Sequence, residues 1–301
     1  MHRLCIDRVL ATIASIGKPG HNRVMRYVTS RPGTTPLVLD SPHSGTWYPD
    51  DFDHACDLAV LRRAEDTHVD KLYDFAPGLG VGWVEAHFPR SYLDVNRSLS
   101  ELDLTLLDGP WPDPVEEGPK VRLGKGLVWR LTDEGVPLYD RKLSVQEVRR
   151  RIERCWYPYH EALAQQVQAA VQRHGYCIHI NCHSMPSVAA SHATEYPGME
   201  HPDFVIGDRD GTTAHPRLTR WLAEYLRAQG HRVDINHPYK GVEIVRRHGL
   251  PSQQRHSLQL EVNRRLYMDE RTLQPHEGFG ALKLLLLDMV RELLALDPRC
   301  L

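Results

Sequence analysis

The stretch Cys177-Ile178-His179-Ile180-Asn181-Cys182-His183-Ser184-Met185-Pro186 constrains this chain more than any other. Its alternation makes it a strand, with Ile178, Ile180 and Cys182 on one face and His179, Asn181 and His183 on the other. Three polar side chains on one face of a buried strand each need a partner, because a buried polar group left unpaired is costly. His183 falls where the strand gives way to a His-Ser turn, and in open α/β sheets ligands bind at that edge. Alone, the position admits a metal-ligating or catalytic imidazole and equally a hydrogen-bonded core imidazole. Partners elsewhere in the chain decide between them.

A length of 301 residues accommodates one large α/β domain or two small ones. The net charge of −2 gives no electrostatic reason to expect a nucleic acid or membrane partner. No stretch is long and apolar enough to span a bilayer; the run from Leu282 to Leu287 comes nearest and reads as a packed C-terminal helix. The six cysteines are scattered without a C-x-x-C pair, which fits a reducing cytoplasm better than a disulfide framework or zinc ribbon. Residues 1–24 lack a signal-peptide core and read as a poorly ordered extension, with Met25 an alternative start. Residues 25–301 contain no repeat and no second-domain linker, and read as one domain.

Several other segments end strands with polar groups. Pro36 to Asp40 is a short apolar strand followed at once by the turn Ser41-Pro42-His43-Ser44-Gly45, so His43 stands at a strand end as His183 does. Asp57 to Phe75 reads as helical and contains the run Glu65-Asp66-Thr67-His68-Val69-Asp70. Tyr92, Asp94 and Asn96 alternate with Leu93 and Val95, which predicts a strand carrying polar groups on one side. Arg90 and Arg97 flank it, an arrangement suited to binding a carboxylate or to ion-pairing with Asp94 or Asp103. Residues 98–140, rich in proline, predict a long irregular insertion of the kind that covers a site.

Ser144-Val145-Gln146-Glu147 is a capping box opening a long helix that Pro158 should kink or divide and Gly175 should end. Thr212 or Thr213 is expected to cap a further helix, and His237 to Gly241 to form a turn able to reach a ligand. In the strand Leu258 to Asn263, parity places Gln259, Glu261 and Asn263 opposite the apolar residues. A carboxylate there needs a partner or a cation.

Two histidines and a carboxylate suit catalytic zinc with one position left for water, and a further carboxylate can take a proton from that water. An arginine can stabilise the oxyanion, and an Asn-Arg pair can hold a substrate carboxylate. No H-E-x-x-H is present, so a thermolysin-like helix site is excluded.

The segments LVLDSPHSG (37–45), EDTHVDKLYD (65–74), PRSYLDVNRS (89–98), INCHSMPS (180–187) and LQLEVNRRLYMDE (258–270), in this order, resemble the N-formylglutamate amidohydrolase family. The resemblance implies a three-layer α/β/α fold with a mixed, mostly parallel central sheet, similar to zinc carboxypeptidases. It implies one zinc ion, other divalent metals being accepted by the same ligands, and hydrolysis of N-formyl-L-glutamate to formate and L-glutamate in histidine breakdown. Carried onto this sequence, His43, Asp66 and His183 become zinc ligands, with Glu65 and His68 as alternatives to Asp66. Glu261 becomes the general base, Arg90 the oxyanion stabiliser, and Asn96 and Arg97 the carboxylate clamp. Lys240 and Arg246 become candidates for reading a side-chain carboxylate, because Gly241 to Val245 departs from the family's Gly-Gly-x-Ile-Thr run. The partner expected is a small N-acyl amino acid. The other readings are a deacylase or carboxypeptidase-like enzyme for another N-acylated compound, and a non-catalytic metal- or ligand-binding protein on the same scaffold.

Overall fold

A computed structural model describes residues 27–189 and 196–296; the N-terminal segment read above as an extension lies outside them. The centre is a seven-stranded sheet in the order β1-β3-β2-β4-β7-β5-β6. The strands are β1 (Val28–Arg31), β2 (Leu37–Ser41), β3 (Gly82–Ala86), β4 (Cys177–Met185), β5 (Phe204–Gly207), β6 (Val233–Ile235) and β7 (Arg255–Asn263). β3, β2, β4 and β7 run parallel, β1 runs antiparallel to β3, and β5 and β6 run together against β7. The sheet is thus mixed and mostly parallel. β4 is buried along its whole length, as a central strand covered on both faces must be.

The strand parity read from the sequence sorts the two faces. Leu37, Leu39, Ile178, Ile180, Cys182, Leu258 and Leu260 join one apolar cluster with Leu218, Leu222 and Leu226 of α6 (Pro216–Ala228) and Leu286, Met289 and Leu293 of α8 (Gly278–Ala295). Val38, Val84 and Ala86 face the other way and pack with Tyr159, Leu163 and Val167 of α5 (Tyr157–His174), spaced four apart on one helix stripe. The short helices are α1 (Leu58–Leu61), α2 (Val69–Leu72), α3 (Pro119–Arg122), α4 (Val145–Arg151) and α7 (Glu243–His248). Among the described residues no helix is long and apolar enough to cross a membrane.

The capping box forms: Ser144 Oγ accepts from Glu147 N while the Glu147 carboxylate accepts from Ser144 N. The long helix is divided, not simply kinked. α4 passes through a π turn over Ile152–Trp156, and α5 starts next to Pro158, whose missing N–H removes a helix bond. Gly175 ends α5 with φ 84°, a left-handed conformation that glycine adopts without strain.

Four expectations need correction. Asp57 to Phe75 is not a continuous helix. α1 and a 3₁₀ turn end at Glu65, which is extended, and α2 begins only after His68 at φ 66°. Asp66 N donates to His43 O instead of to a helical carbonyl, so the break ties the acidic run to the His43 turn. The Tyr92–Asn96 stretch is not a strand. Asp94 Oδ1 accepts from Asn96 N at 2.9 Å and Arg97 N donates to Asp94 O, local bonds that replace a ladder. His215, not Thr212 or Thr213, caps α6, its ring accepting from Arg217 N. β4 also continues past His183 to Met185, so His183 lies two residues inside the strand end.

The irregular segments are held by buried polar anchors. Arg151 of α4 donates to Tyr92 O and Tyr139 Oη, and its guanidinium stacks 4.3 Å from the Tyr92 ring. At the sheet centre Asp40 accepts from Tyr159 Oη at 2.6 Å, His179 Nε2 at 2.9 Å and Asn181 Nδ2 at 2.9 Å. Burial alone would raise the Asp40 carboxyl, but His179, Tyr159 and Asn181 together hold it below the usual carboxylate range. Removing it strands those donors in the core. Asp40→Ala should therefore lose about 3–5 kcal/mol by urea denaturation, far more than a surface carboxylate. Because the folded-state pKa is depressed, Asp40 stabilises fully above about pH 4 and its contribution should fade as pH drops below that.

Candidate metal and active site

His43, on the turn after β2, and His183, near the end of β4, bring their Nδ1 atoms within 3.2 Å of each other. Asp66 Oδ2 lies 2.8 Å from His183 Nδ1 and 3.4 Å from His43 Nδ1. All three residues are buried. The strand end, the turn and the helix break each deliver one donor atom to the same point.

Surrounding bonds fix what those atoms carry. His43 Nε2 donates to Asp94 Oδ1 at 2.8 Å, so the proton of a neutral ring is on Nε2 and the Nδ1 lone pair faces inward. His183 Nε2 donates to Asn181 Oδ1 at 2.7 Å, with the same result. The Asn181 amide is oriented by Asp40, which takes its NH2 group. Asp94 is buried, which would raise its carboxyl, but His43, Arg90 and Arg97 around it instead hold it well below the usual range.

Two lone pairs and a carboxylate oxygen therefore converge without a proton of their own between them. A tetrahedral zinc ion with ligands at about 2.0–2.1 Å sets its donors about 3.3–3.4 Å apart. The observed separations of 2.8–3.4 Å are close to that, and the trio forms a possible metal site.

Of the acidic segment's candidates, only Asp66 points into this cluster. Glu65 accepts from Tyr48 Oη at 2.7 Å and pairs with Arg62, while His68 Nε2 donates to Leu273 O. Glu261 of β7 stands in register beside His183 of β4. Its Oε1 accepts from Gln259 Nε2 at 2.8 Å, and burial raises its carboxyl above the usual range, with His183, Arg90 and Arg264 opposing. Arg90 donates to Asp94 Oδ2 at 3.1 Å and lies 3.7 Å from Asp66 Oδ1, so the pairing with Asp94 weighed from sequence exists, but in the interior. Asn96 Oδ1 accepts from Ile244 N, which turns its NH2 group toward His183 Nε2 and Gln259 Oε1, 3.3 and 3.4 Å away. Arg97 is buried and donates to Lys125 O and Asn96 O.

Lys240 and Arg246 are not brought to the cluster. Lys240 is exposed and pairs with Asp210, and the Arg246 guanidinium is taken by Glu243 at 2.6 and 2.8 Å. Two side chains at the cluster were given no site role from sequence. Asp94 holds His43, and its signal was the polar alternation that read as a strand. Arg264 donates to Glu65 O at 2.6 Å, Arg63 O and Ser184 Oγ and lies 3.4 Å from Asp66 Oδ1. It joins the end of β7 to the acidic run, and nothing in local spacing marks it.

Similarity to known proteins agrees with this geometry. The N-formylglutamate amidohydrolase family matches residues 35–268. The crystal structure of N-formylglutamate amidohydrolase from Ralstonia eutropha JMP134 is 44% identical and superposes with a TM-score of 0.86, over 90% of this chain and 98% of that one. The N-formylglutamate deformylases of Pseudomonas aeruginosa and Pseudomonas putida are each 30% identical, over 79% of this chain and 84% of theirs. The chain is therefore an amidohydrolase and belongs to the N-formylglutamate amidohydrolase family.

Proposed function

We propose that this enzyme hydrolyses the formyl amide of N-formyl-L-glutamate to formate and L-glutamate, with one zinc ion held by His43, Asp66 and His183. The observation that carries the metal is the meeting of two inward lone pairs and a carboxylate oxygen, which only a cation or an added proton relieves. The substrate follows from the family and from the two Pseudomonas deformylases. The fold proposed is the three-layer, zinc-carboxypeptidase-like arrangement, supported by helices packed on both sheet faces. The reaction is placed in cytoplasmic histidine breakdown, a compartment that suits the free thiols of Cys56, Cys155, Cys177 and Cys182.

His43, Asp66 and His183 would hold a divalent cation, which would supply acidification of water and polarisation of the formyl carbonyl. Glu261 takes the proton of the attacking water and returns it to the leaving amine. Its raised carboxyl suits both halves of that transfer, because a base that holds its proton too weakly cannot deliver it on time. Gln259 occupies Oε1 and leaves Oε2 for the proton. Arg90, tethered by Asp94, supplies positive charge for the oxyanion of the tetrahedral stage without needing to reorganise. The NH2 group of Asn96 and the guanidinium of Arg97 hold the α-carboxylate of the substrate.

Glu261→Gln should keep near-stoichiometric zinc by atomic absorption while formate release falls by about 10³-fold or more. His183→Ala should lose both metal and activity. Equal turnover in wild type and Glu261→Gln would remove the base from the mechanism. Asp94→Asn, which unlocks the His43 tautomer, should weaken zinc about 10–100-fold in competition with a chromophoric chelator. Across N-formyl-, N-acetyl- and N-succinyl-L-glutamate, the formyl compound should show the highest kcat/KM; a marked preference for a larger acyl group would reassign the substrate.

A further inference from the structure

The polar face of the sheet has a second end. Where β7 begins, away from His183 and Glu261, a cavity of about 790 Å³ opens between α5, α7 and the turn Pro251–Gln253. Its volume falls in the range of small-molecule sites. The π turn that precedes α5 ends at Trp156 on the cavity wall, and π turns recur where proteins bind ligands.

The cavity carries uncompensated positive charge. Arg255 makes no ion pair among the described residues, and its Nε is buried without a hydrogen-bond partner. Arg247 stacks 4.6 Å over the Trp156 ring and donates to Glu243, but that carboxylate already serves Arg246. One acid thus faces two guanidiniums. The lining also holds one carboxylate, Glu161, bonded to the neutral Gln165; set against the guanidiniums of Arg247 and Arg255, it leaves positive charge in excess. The lining imidazoles add no charge: burial pushes His160 down to about 4 and His248 well below its ordinary value.

The same walls hold the substrate side of the active site. His160 Nε2 donates to Val95 O at 2.8 Å and Trp156 Nε1 donates to Arg97 O at 3.0 Å. At the start of α7, Ile244 N donates to Asn96 Oδ1. Three consecutive residues, 95 to 97, are therefore gripped by cavity-lining side chains or by the helix that lines it.

We propose that this cavity binds a small organic carboxylate, paired with Arg255 beside the Trp156–Arg247 stack, and that its occupancy alters substrate binding through residues 95–97. A guanidinium matches a carboxylate in a two-point contact, and one unpaired arginine calls for one negative charge and not for a phosphate dianion. The second half of the proposal rests on the reading of Asn96 and Arg97 as the substrate clamp.

Benzoate, titrated calorimetrically into the zinc-loaded full chain, tests it, with benzamide as the neutral isostere and inorganic phosphate as the competing anion. Benzoate should bind at one site, while benzamide and phosphate should bind at least about ten-fold more weakly. Arg255→Gln, and Gln168→Glu on the exposed wall, should each weaken benzoate by about ten-fold or more with basal turnover retained. Bound benzoate should shift KM for N-formyl-L-glutamate at least about two-fold in wild type and not in Arg255→Gln. An isotherm unchanged in Arg255→Gln, one abolished by Asn96→Ala, or equal binding of benzamide or phosphate would overturn the site. Binding with KM unmoved would overturn the coupling. If instead Asn96→Ala leaves KM at its wild-type value with the benzoate isotherm intact, the clamp reading fails and the site stands.

Discussion

Two imidazole lone pairs and a carboxylate oxygen face one another across 2.8–3.4 Å in a buried space, and most of the surrounding architecture works against their repulsion. A folded chain does not assemble such a cluster by default. Each member is fixed from behind: His43 by Asp94, His183 by Asn181, and Asp66 by Arg264 through the backbone of Glu65 and Arg63. The stabilising bonds point outward from the cluster and leave the inward atoms free of protons. This is the arrangement expected when the tautomer of a ligand is set by its second nitrogen.

The outward bonds lead to the sheet centre. Asp40 takes the amide of Asn181 and so decides which end of that amide meets His183. It also takes Tyr159 of α5 and His179 of β4, so one carboxylate joins two strands and a helix at full burial. His179 lies four residues below His183 and donates to Asp40, while its Nδ1 meets Ser257 Oγ at 2.7 Å. It is a packed, bonded imidazole with no place in the metal cluster. The parity that puts His179, Asn181 and His183 on one face thus divides them by depth into anchor, orienting amide and donor.

Much of this was legible in the sequence. Parity in β4 and β7 placed His183 and Glu261 correctly, because a strand has one period and a buried strand obeys it on both faces. The helix-cap signals at Ser144 and Gly175 held for the same local reason. Where side chains compete with the backbone, local periodicity misled. Asp94 bonds its own chain two residues on, so an alternating run became a turn. The acidic run broke its helix because Asp66 N is taken by His43 O, a contact between residues 23 positions apart that no local window contains. Arg264 and Asp40 were silent for a related reason. Their partners come from distant segments, and neither the end of a strand nor an Asp before a turn announces a buried role.

The distribution of saturated and unsaturated groups determines how the two ends of the polar face can communicate. The column through His179, Asp40 and Asn181 is fully bonded and packed between α5 and the sheet, so shifting it means breaking several buried hydrogen bonds at once. Residues 95–97 are different. They lie in an irregular segment, bonded to Trp156, His160 and Ile244 on one side and to Asp94 on the other. Asp94 Oδ1 accepts from both Asn96 N and His43 Nε2, so a movement of α7 or of the Trp156 wall that reaches Asn96 also reaches the carboxylate that sets the His43 tautomer. His183 is referenced to the sheet through Asn181 and Asp40, whereas His43 is referenced to the irregular segment through Asp94. The metal cluster thus draws on both parts of the fold, and the Asn-Arg pair shares its anchor with one of the three donors.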